Sequence, residues 1–224
     1  MKQIAHIETD FATKFGVPRQ SGLVPTIGRV VFEPEYRNRE ALRGLEEFSH
    51  LWLLWIFSEA VGEGREWSPT VRPPRLGGNR RMGVWATRSP FRPNNIGLSS
   101  VRIERMELDS PDGPVIWVEG ADLMNGTPII DIKPYLPFTD SHPEATSGFA
   151  AQTFKAEPLE VVMPECVENM FTPQQCETLR QVLAADPRPH YQSDSSRVYG
   201  MEYAGHEVRF RVENGKLIVM ENDL

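Results

Sequence analysis

The sequence predicts a mainly β chain: an antiparallel β-barrel-like main domain over residues 1–140, a connector over 141–159 and a small α+β C-terminal domain over 160–224. Three observations lead there. Short apolar or alternating segments follow one another between Pro- and Gly-rich turns. Little amphipathic helix separates them before residue 140, which favours a barrel or closed sandwich. The last third opens on a capped helix and continues into three strand-like runs. At 224 residues the chain is long enough to bury a substantial core.

In chain order, residues 3–8 and 27–33 (IGRVVFE) read as strands, the second opened by Gly28 after the turn-prone Pro25 and Thr26. A short helix follows, with Asn38 as its cap and Ala41, Leu42, Leu45 and Phe48 on one face. LWLLWIF at 51–57 is too short for a buried helix and aromatic enough for a central strand. A long exposed loop comes next, carrying Gly62, Gly64, Pro69, Pro73, Pro74, Gly77 and Gly78. Strand character returns at 82–87, at 98–108 with imperfect alternation, at 114–119 across the turn SPDG, and at 128–132. The connector is rich in Thr, Ser, Pro, Ala and Glu, and a helical stretch of its own is expected within it. Thr172, Pro173 and Gln175 then form a capping-box start to a helix with Cys176, Leu179, Val182 and Leu183 on its apolar side. Strands are expected near 198–203, 207–212 and 216–220, the last two joined by an Asn214-Gly215 hairpin turn.

The bulk properties exclude several classes. The longest apolar run, 51–57, is far short of a membrane span, and the charged N-terminus does not read as a secretory signal, so a cytoplasmic protein is expected. Cys166 and Cys176 have neither the density nor the spacing of a disulfide scaffold or zinc site. His6, His50, His142, His190 and His206 are scattered singly, and no metal is expected. Net charge is −7, which alone disfavours a nucleic-acid partner. The distribution argues the other way, because residues 67–103 contain no Asp or Glu but hold Arg72, Arg75, Arg80, Arg81, Arg88, Arg92 and Arg102. That window is a cationic island on an acidic chain, suited to binding an anion.

Four clusters carry possible chemistry, each beside a plainer reading. PRQSG at 18–22 is equally an ordinary loop; arginine-rich loops are usually solvated surface, but seven arginines without a compensating acid favour an anion site. In GADLMNGTP, Asp122 and Asn125 either serve a site or satisfy turn amides. In DIKPY, Asp131, Lys133 and Tyr135 alternate, so an extended backbone points all three to one side, as a proton-transfer set or a water-facing one. No GxGxxG, GxxxxGK[ST] or GxSxG motif is present, which argues against a Rossmann cofactor site, a phosphate loop and a nucleophile elbow.

The strings FGVPRQSGLV, RGLEEFSHLWLLWIF, VRPPRLGGNRRMGVWATRSPFRPNNIGLS and DLMNGTPIIDIKPYLPF resemble the bacterial TrmO (TsaA-like, YaeB) family over roughly residues 3–140. From about residue 160 the chain resembles, more loosely, the small extra domain of longer members. The resemblance implies S-adenosyl-L-methionine-dependent methylation of N6 of threonylcarbamoyladenosine beside the tRNA anticodon. It also implies an antiparallel barrel and a homodimer with the donor pocket near the subunit contact. Carried onto this sequence, the donor-binding residues are Pro18, Arg19, Gln20 and Gly22, then Phe57 and Ser58, Arg88 and Leu98, and finally Glu119, Gly120, Ala121 and Asp122.

The expected reaction is an in-line displacement in which the substrate nitrogen attacks the sulfonium methyl, with positioning as the main source of rate. Asp131 is the candidate base or acceptor, with Lys133 and Tyr135 orienting the threonyl group. Arg75, Arg80, Arg81 and Arg92 are the candidate phosphate contacts to the anticodon stem-loop, and Trp85 and Phe91 are either base-stacking or core. A non-catalytic RNA-binding barrel would bind tRNA without the donor. An alkyl transferase acting on a small anion would do the reverse.

Overall fold

The computed structural model describes residues 1–58, 67–73, 76, 80–153, 157–188 and 196–221. Its elements begin with β1 (Ala5–Thr9), β2 (Ile27–Phe32) and β3 (His50–Ile56), then a two-stranded ribbon of β4 (Thr70–Val71) and β5 (Met82–Gly83). The long β6 (Ile96–Ser110), β7 (Gly113–Glu119) and β8 (Thr127–Pro134) follow, and then α1 (Pro137–Asp140) and α2 (Ala150–Thr153). The remainder comprises β9 (Glu160–Val162), α3 (Glu165–Glu168), α4 (Pro173–Ala184), β10 (Tyr199–Tyr203), β11 (His206–Glu213) and β12 (Lys216–Val219).

Six strands close on themselves in the order β1-β2-β7-β6-β3-β8, every neighbour antiparallel. Closure leaves no unpaired edge within that sheet. Alternation then sorts the side chains: Leu51, Leu53 and Trp55 of β3 point inward while Trp52 and Leu54 point outward. The interior is filled by Ala5, Ile7, Val30, Leu51, Leu53, Val101, Ile116, Val118 and Ile129, each at most 1% exposed. The imperfect alternation of 98–108 has a structural cause, since register shifts against β7 fall between Ile103 and Arg105 and between Glu107 and Ser110.

Two expectations are corrected. The helix expected after Asn38 is a pair of 3-10 turns, Arg39–Leu42 and Leu45–Glu47, although Asn38 does cap the first by accepting from the Glu40 amide. Arg43 is extended, so neither half is long enough to sustain an α-helix, and Leu42 and Leu45 are drawn onto the barrel core instead. The strand expected at 82–87 stops at Gly83 and gives way to the 3-10 turn Val84–Ala86. There Val84 is fully buried and Trp85 and Ala86 are exposed, a pattern a pleated strand cannot produce.

The terminal sheet runs β10-β11-β12-β9, with three-residue β9 parallel to β12 and too brief to stand out in the sequence. Helix α4 starts in the expected capping box, Thr172 accepting from the Gln175 amide while the Gln175 side chain caps the Thr172 amide. Leu179, Val182 and Leu183 enter a second core with Tyr203, Phe210 and Leu217, and that core also contains Phe11 and Val24 from the segment between β1 and β2.

Candidate functional site

The site begins where β7 ends. Gly120 adopts φ +88°, and a Cβ there would meet the Cα and N of Gly22 at 3.2 Å, so only glycine lets the two backbones approach. The Gly22 amide donates to the Gly120 carbonyl at 2.9 Å and the Gly120 amide to the Thr26 carbonyl at 2.8 Å. Ala121 is buried, and its carbonyl accepts from the Thr26 hydroxyl. The loop 18–22 is thereby laid against the turn 119–122, about a hundred residues later.

Asp122 is the centre of this arrangement. Its carboxylate accepts from Ser99 Oγ at 2.5 Å and from the Ser21 backbone amide, and Trp55 Nε1 donates to Ser99 Oγ at 3.0 Å. Burial pushes the Asp122 carboxyl above the ordinary carboxylate value, while the Ser99 bond and the Arg88 charge pull it back down. Arg88 Nη1 donates to Gln20 Oε1, which closes the ring. Gln20, Ser21, Gly22, Arg88, Gly120, Ala121 and Asp122 therefore converge.

Other candidates lie apart from that ring or have partners of their own. Glu119 is held two-pronged by Arg102, at 3.1 and 2.6 Å. Phe57 packs on Trp55, ring centroids 4.2 Å apart, and its amide donates to the Asn95 carbonyl, while Ser58 sits exposed in the following turn. Arg19 donates from Nη2 to the carbonyls of Asp186 and Arg188 at 2.8 and 3.0 Å, and Pro18 precedes it in the same loop. Leu98 is 51% exposed on the outer barrel face, paired with Leu54, which pairs in turn with Asp131. Leu98 and Asp131 thus stand two strands apart, about 10 Å.

Asp131, Lys133 and Tyr135 do share one side. Lys133 Nζ lies 2.8 Å from Asp131, Lys133 pairs across to Trp52, and the Tyr135 ring lies 5.5 Å from that of Trp52. This is the outer face, opposite the Asp122–Ser99 contact. Ser99 and Ser21 were not among the sequence candidates. Ser99 had a legible signal, a polar residue at an inward position of a barrel strand; Ser21 stood inside the PRQSG cluster without being assigned a role.

In the cationic window, Arg80 is exposed and Arg81 donates to Thr70 Oγ1 at 3.1 Å. Arg92 donates from Nη1 to the carbonyls of Thr87 and Ser89 and sits 5.4 Å over the Trp85 ring, so its first use is to hold its own turn. Arg75 lies outside the described residues. Trp85 is 66% exposed and stacks on Trp67, 49% exposed, with centroids 6.1 Å apart and planes 24° apart. Trp85 is therefore not core, and Trp67 is a neighbour the sequence did not single out. Among the described residues no group of three or more His, Cys, Asp or Glu is placed to hold a metal ion.

Comparison with known proteins bears on this geometry. The family model of the tRNA-methyltransferase O N-terminal domain matches residues 6–141, and that of the TrmO C-terminal domain matches residues 156–223. The chain belongs to the tRNA-methyltransferase O family. A TrmO relative from Escherichia coli (strain K12), tRNA (adenine(37)-N6)-methyltransferase, is 42% identical over 219 residues, covering 94% of this chain and 92% of its own. A Pseudomonas aeruginosa relative described as an S-adenosylmethionine-dependent methyltransferase, RcsF, is 39% identical over 222 residues, 96% of this chain and 93% of its own. The crystal structure of TrmO from Pseudomonas aeruginosa superposes with a TM-score of 0.75 at 31% identity, covering 98% of this chain and 96% of that one.

Proposed function

We propose that this chain is an S-adenosyl-L-methionine-dependent tRNA methyltransferase acting on N6 of the adenosine at position 37, with threonylcarbamoyladenosine as its substrate form. Membership of the TrmO family supports the activity. The observation that carries the site is the convergence of loop 18–22, Arg88 and turn 119–122 on the half-buried Asp122 carboxylate.

The residues present fit the donor. Its ribose hydroxyls suit a carboxylate held in place, its own carboxylate suits an arginine, and its adenine edge suits exposed backbone groups of a glycine-rich turn. Asp122 and Arg88 provide the first two, and the Gly120–Gly22 approach leaves no side chain between the two backbones. Pro18, Phe57, Ser58 and Glu119 complete the proposed donor surroundings, with Arg19 held behind the loop by the carbonyls of Asp186 and Arg188 and Leu98 on the outer face, where the proposed subunit contact lies. When bound, the donor supplies an electrophilic methyl group on a sulfonium sulfur.

Asp131 is proposed as the acceptor that draws proton density from the substrate nitrogen, with Lys133 and Tyr135 orienting the threonyl group. Asp131 is fixed for this by the Ile132 amide, which donates to it at 2.9 Å. Ser99, which meets the methyl-donor ring at Asp122, points inward from β6, whereas the Asp131 row stands on the outer face of β8. A homodimer is proposed to bring them together, and the exposed Leu98 beside Leu54 supports a subunit contact on that outer face. Arg75, Arg80, Arg81 and Arg92 are proposed to meet anticodon stem-loop phosphates, Arg92 while also holding its own turn. Trp85 and Trp67 offer a stacking surface for an unpaired base.

Action in the cytoplasm is proposed on the strength of the tRNA substrate. Among the described residues no helix is long and apolar enough to cross a membrane. The test is to incubate the chain with S-adenosylmethionine and tRNA carrying or lacking threonylcarbamoyladenosine, then weigh the nucleosides by mass spectrometry. A gain of one methyl only on the threonylcarbamoylated tRNA is expected. No gain on either tRNA, with the donor bound, overturns the reading.

A further inference from the structure

The segment between β1 and β2 leaves the barrel, enters the C-terminal core, and returns to the donor site. Phe11 lies 5.3 Å from the Tyr203 ring, and Phe15 stacks on both Tyr199 and Phe210 at 6.4 and 6.3 Å. The Ala204 amide donates to the Asp10 carbonyl at 2.8 Å, and Gln175 Nε2 donates to the Asp10 carboxylate at 3.1 Å. Gly16, at φ +98°, passes so close to Met201 that a Cβ would lie 2.3 Å from its terminal methyl.

Three residues later Arg19 donates from one nitrogen, Nη2, to the carbonyls of both Asp186 and Arg188, just after α4. That acceptor turn is itself braced, because the Asp186 carboxylate takes both Nε and Nη2 of Arg188, at 2.8 and 2.9 Å. The next three residues serve the site: Gln20 meets Arg88, Ser21 meets Asp122 and Gly22 meets Gly120. The loop is thus tethered to the C-terminal unit at one end and to the donor ring at the other.

We propose that the C-terminal unit is the positioning element of the methyl-donor site, with Arg19 as the latch that transmits its order to residues 20–22. Arg19 acts through the loop and is a positioning residue. The inference rests on the donor reading above. It also requires reciprocity: a ligand that fixes residues 20–22 must stabilise the turn 186–188 that holds Arg19.

The experiment uses the full chain without tRNA. Donor affinity is measured by calorimetry with S-adenosylmethionine for the wild type, Arg19→Ala and Arg19→Lys, and backbone hydrogen exchange is followed with and without the donor. The expected result is a Kd raised about ten-fold in both variants, since the lysine amine ends one bond short of the position that Nη2 occupies. Exchange in 181–188 and 199–203 of the wild type should slow on donor binding, and this slowing should vanish in Arg19→Ala.

Wild-type affinity in Arg19→Lys beside weakened binding in Arg19→Ala overturns the proposal, because it makes Arg19 a charge partner of the donor. So does wild-type affinity in Arg19→Ala. Unchanged exchange in the donor-bound wild type overturns it without reference to any variant. A wild-type chain that binds no donor removes the donor reading itself, and the inference with it.

Discussion

Ser99 donates its hydroxyl proton to Asp122 across the top of the barrel, while Trp55 donates to the same hydroxyl from the neighbouring strand. The carboxylate is held by donors that cannot swing away, yet burial disfavours its charge. Between the ordinary value of 3.8 and its raised folded value, the folded chain binds more protons than the unfolded one. Stability contributed by this group is therefore present at low pH and declines as pH rises through the window. Donor affinity runs the opposite way, because it needs the anion. Calorimetry across pH should show affinity lost on acidification through a midpoint above 3.8. Asp122→Asn should remove that dependence and weaken binding at neutral pH about ten- to hundred-fold, the range for hydrogen bonds to a charged group.

Gly120 couples the two backbones of the donor ring. Gly120→Ala forces an L side chain into a left-handed conformation and against Gly22, a cost of about 1–3 kcal/mol. For a chain of this size, thermal unfolding should shift down by roughly 2–4 °C per kcal/mol. Donor affinity should fall in parallel.

Asp131 lies on the outer wall, away from the donor ring. If it draws proton density from the substrate nitrogen, Asp131→Asn lowers single-turnover methyl transfer by about 10²–10⁴-fold while leaving donor Kd unchanged. Normal turnover by a folded Asp131→Asn chain would sink that role.

Arg80 is exposed, and Arg81 donates to the Thr70 hydroxyl on β4. Each, changed to alanine, should reduce the slope of log affinity for tRNA against log salt by about one unit. Trp85→Ala should cost about 1–3 kcal/mol of tRNA affinity with little change in that slope, since stacking releases no counterions. Filter binding at several salt concentrations separates the two kinds of contact.

Leu98, half exposed opposite Leu54, is the proposed centre of a subunit contact. Leu98→Asp places a charge on that face and should give a monomer by sedimentation, with methyl transfer reduced because the Asp131 row then lacks its partner's donor ring. Wild-type mass already equal to one chain would remove the dimer.

Much of this protein was legible because its signals are local. The LWLLWIF run, the SPDG and Asn214-Gly215 turns and the Thr172–Gln175 capping box each lie within one element, and each formed where the residues required it. The alternation of Asp131, Lys133 and Tyr135 was readable for the same reason. The excess of arginine at 72–102 needed only counting.

What the tertiary structure decided are the relationships that depend on barrel closure. No local pattern says that Ser99 faces Asp122, that Gly22 touches Gly120, or that Arg19 reaches past the site to the end of α4. These contacts span tens to more than a hundred residues, and their geometry is fixed by strand register and by which core captures Phe11 and Phe15. The sequence by itself determined the elements and the charge asymmetry, through spacing and composition. The fold determined which residues of three distant stretches share one carboxylate, because only closing the sheet brings them within hydrogen-bond range.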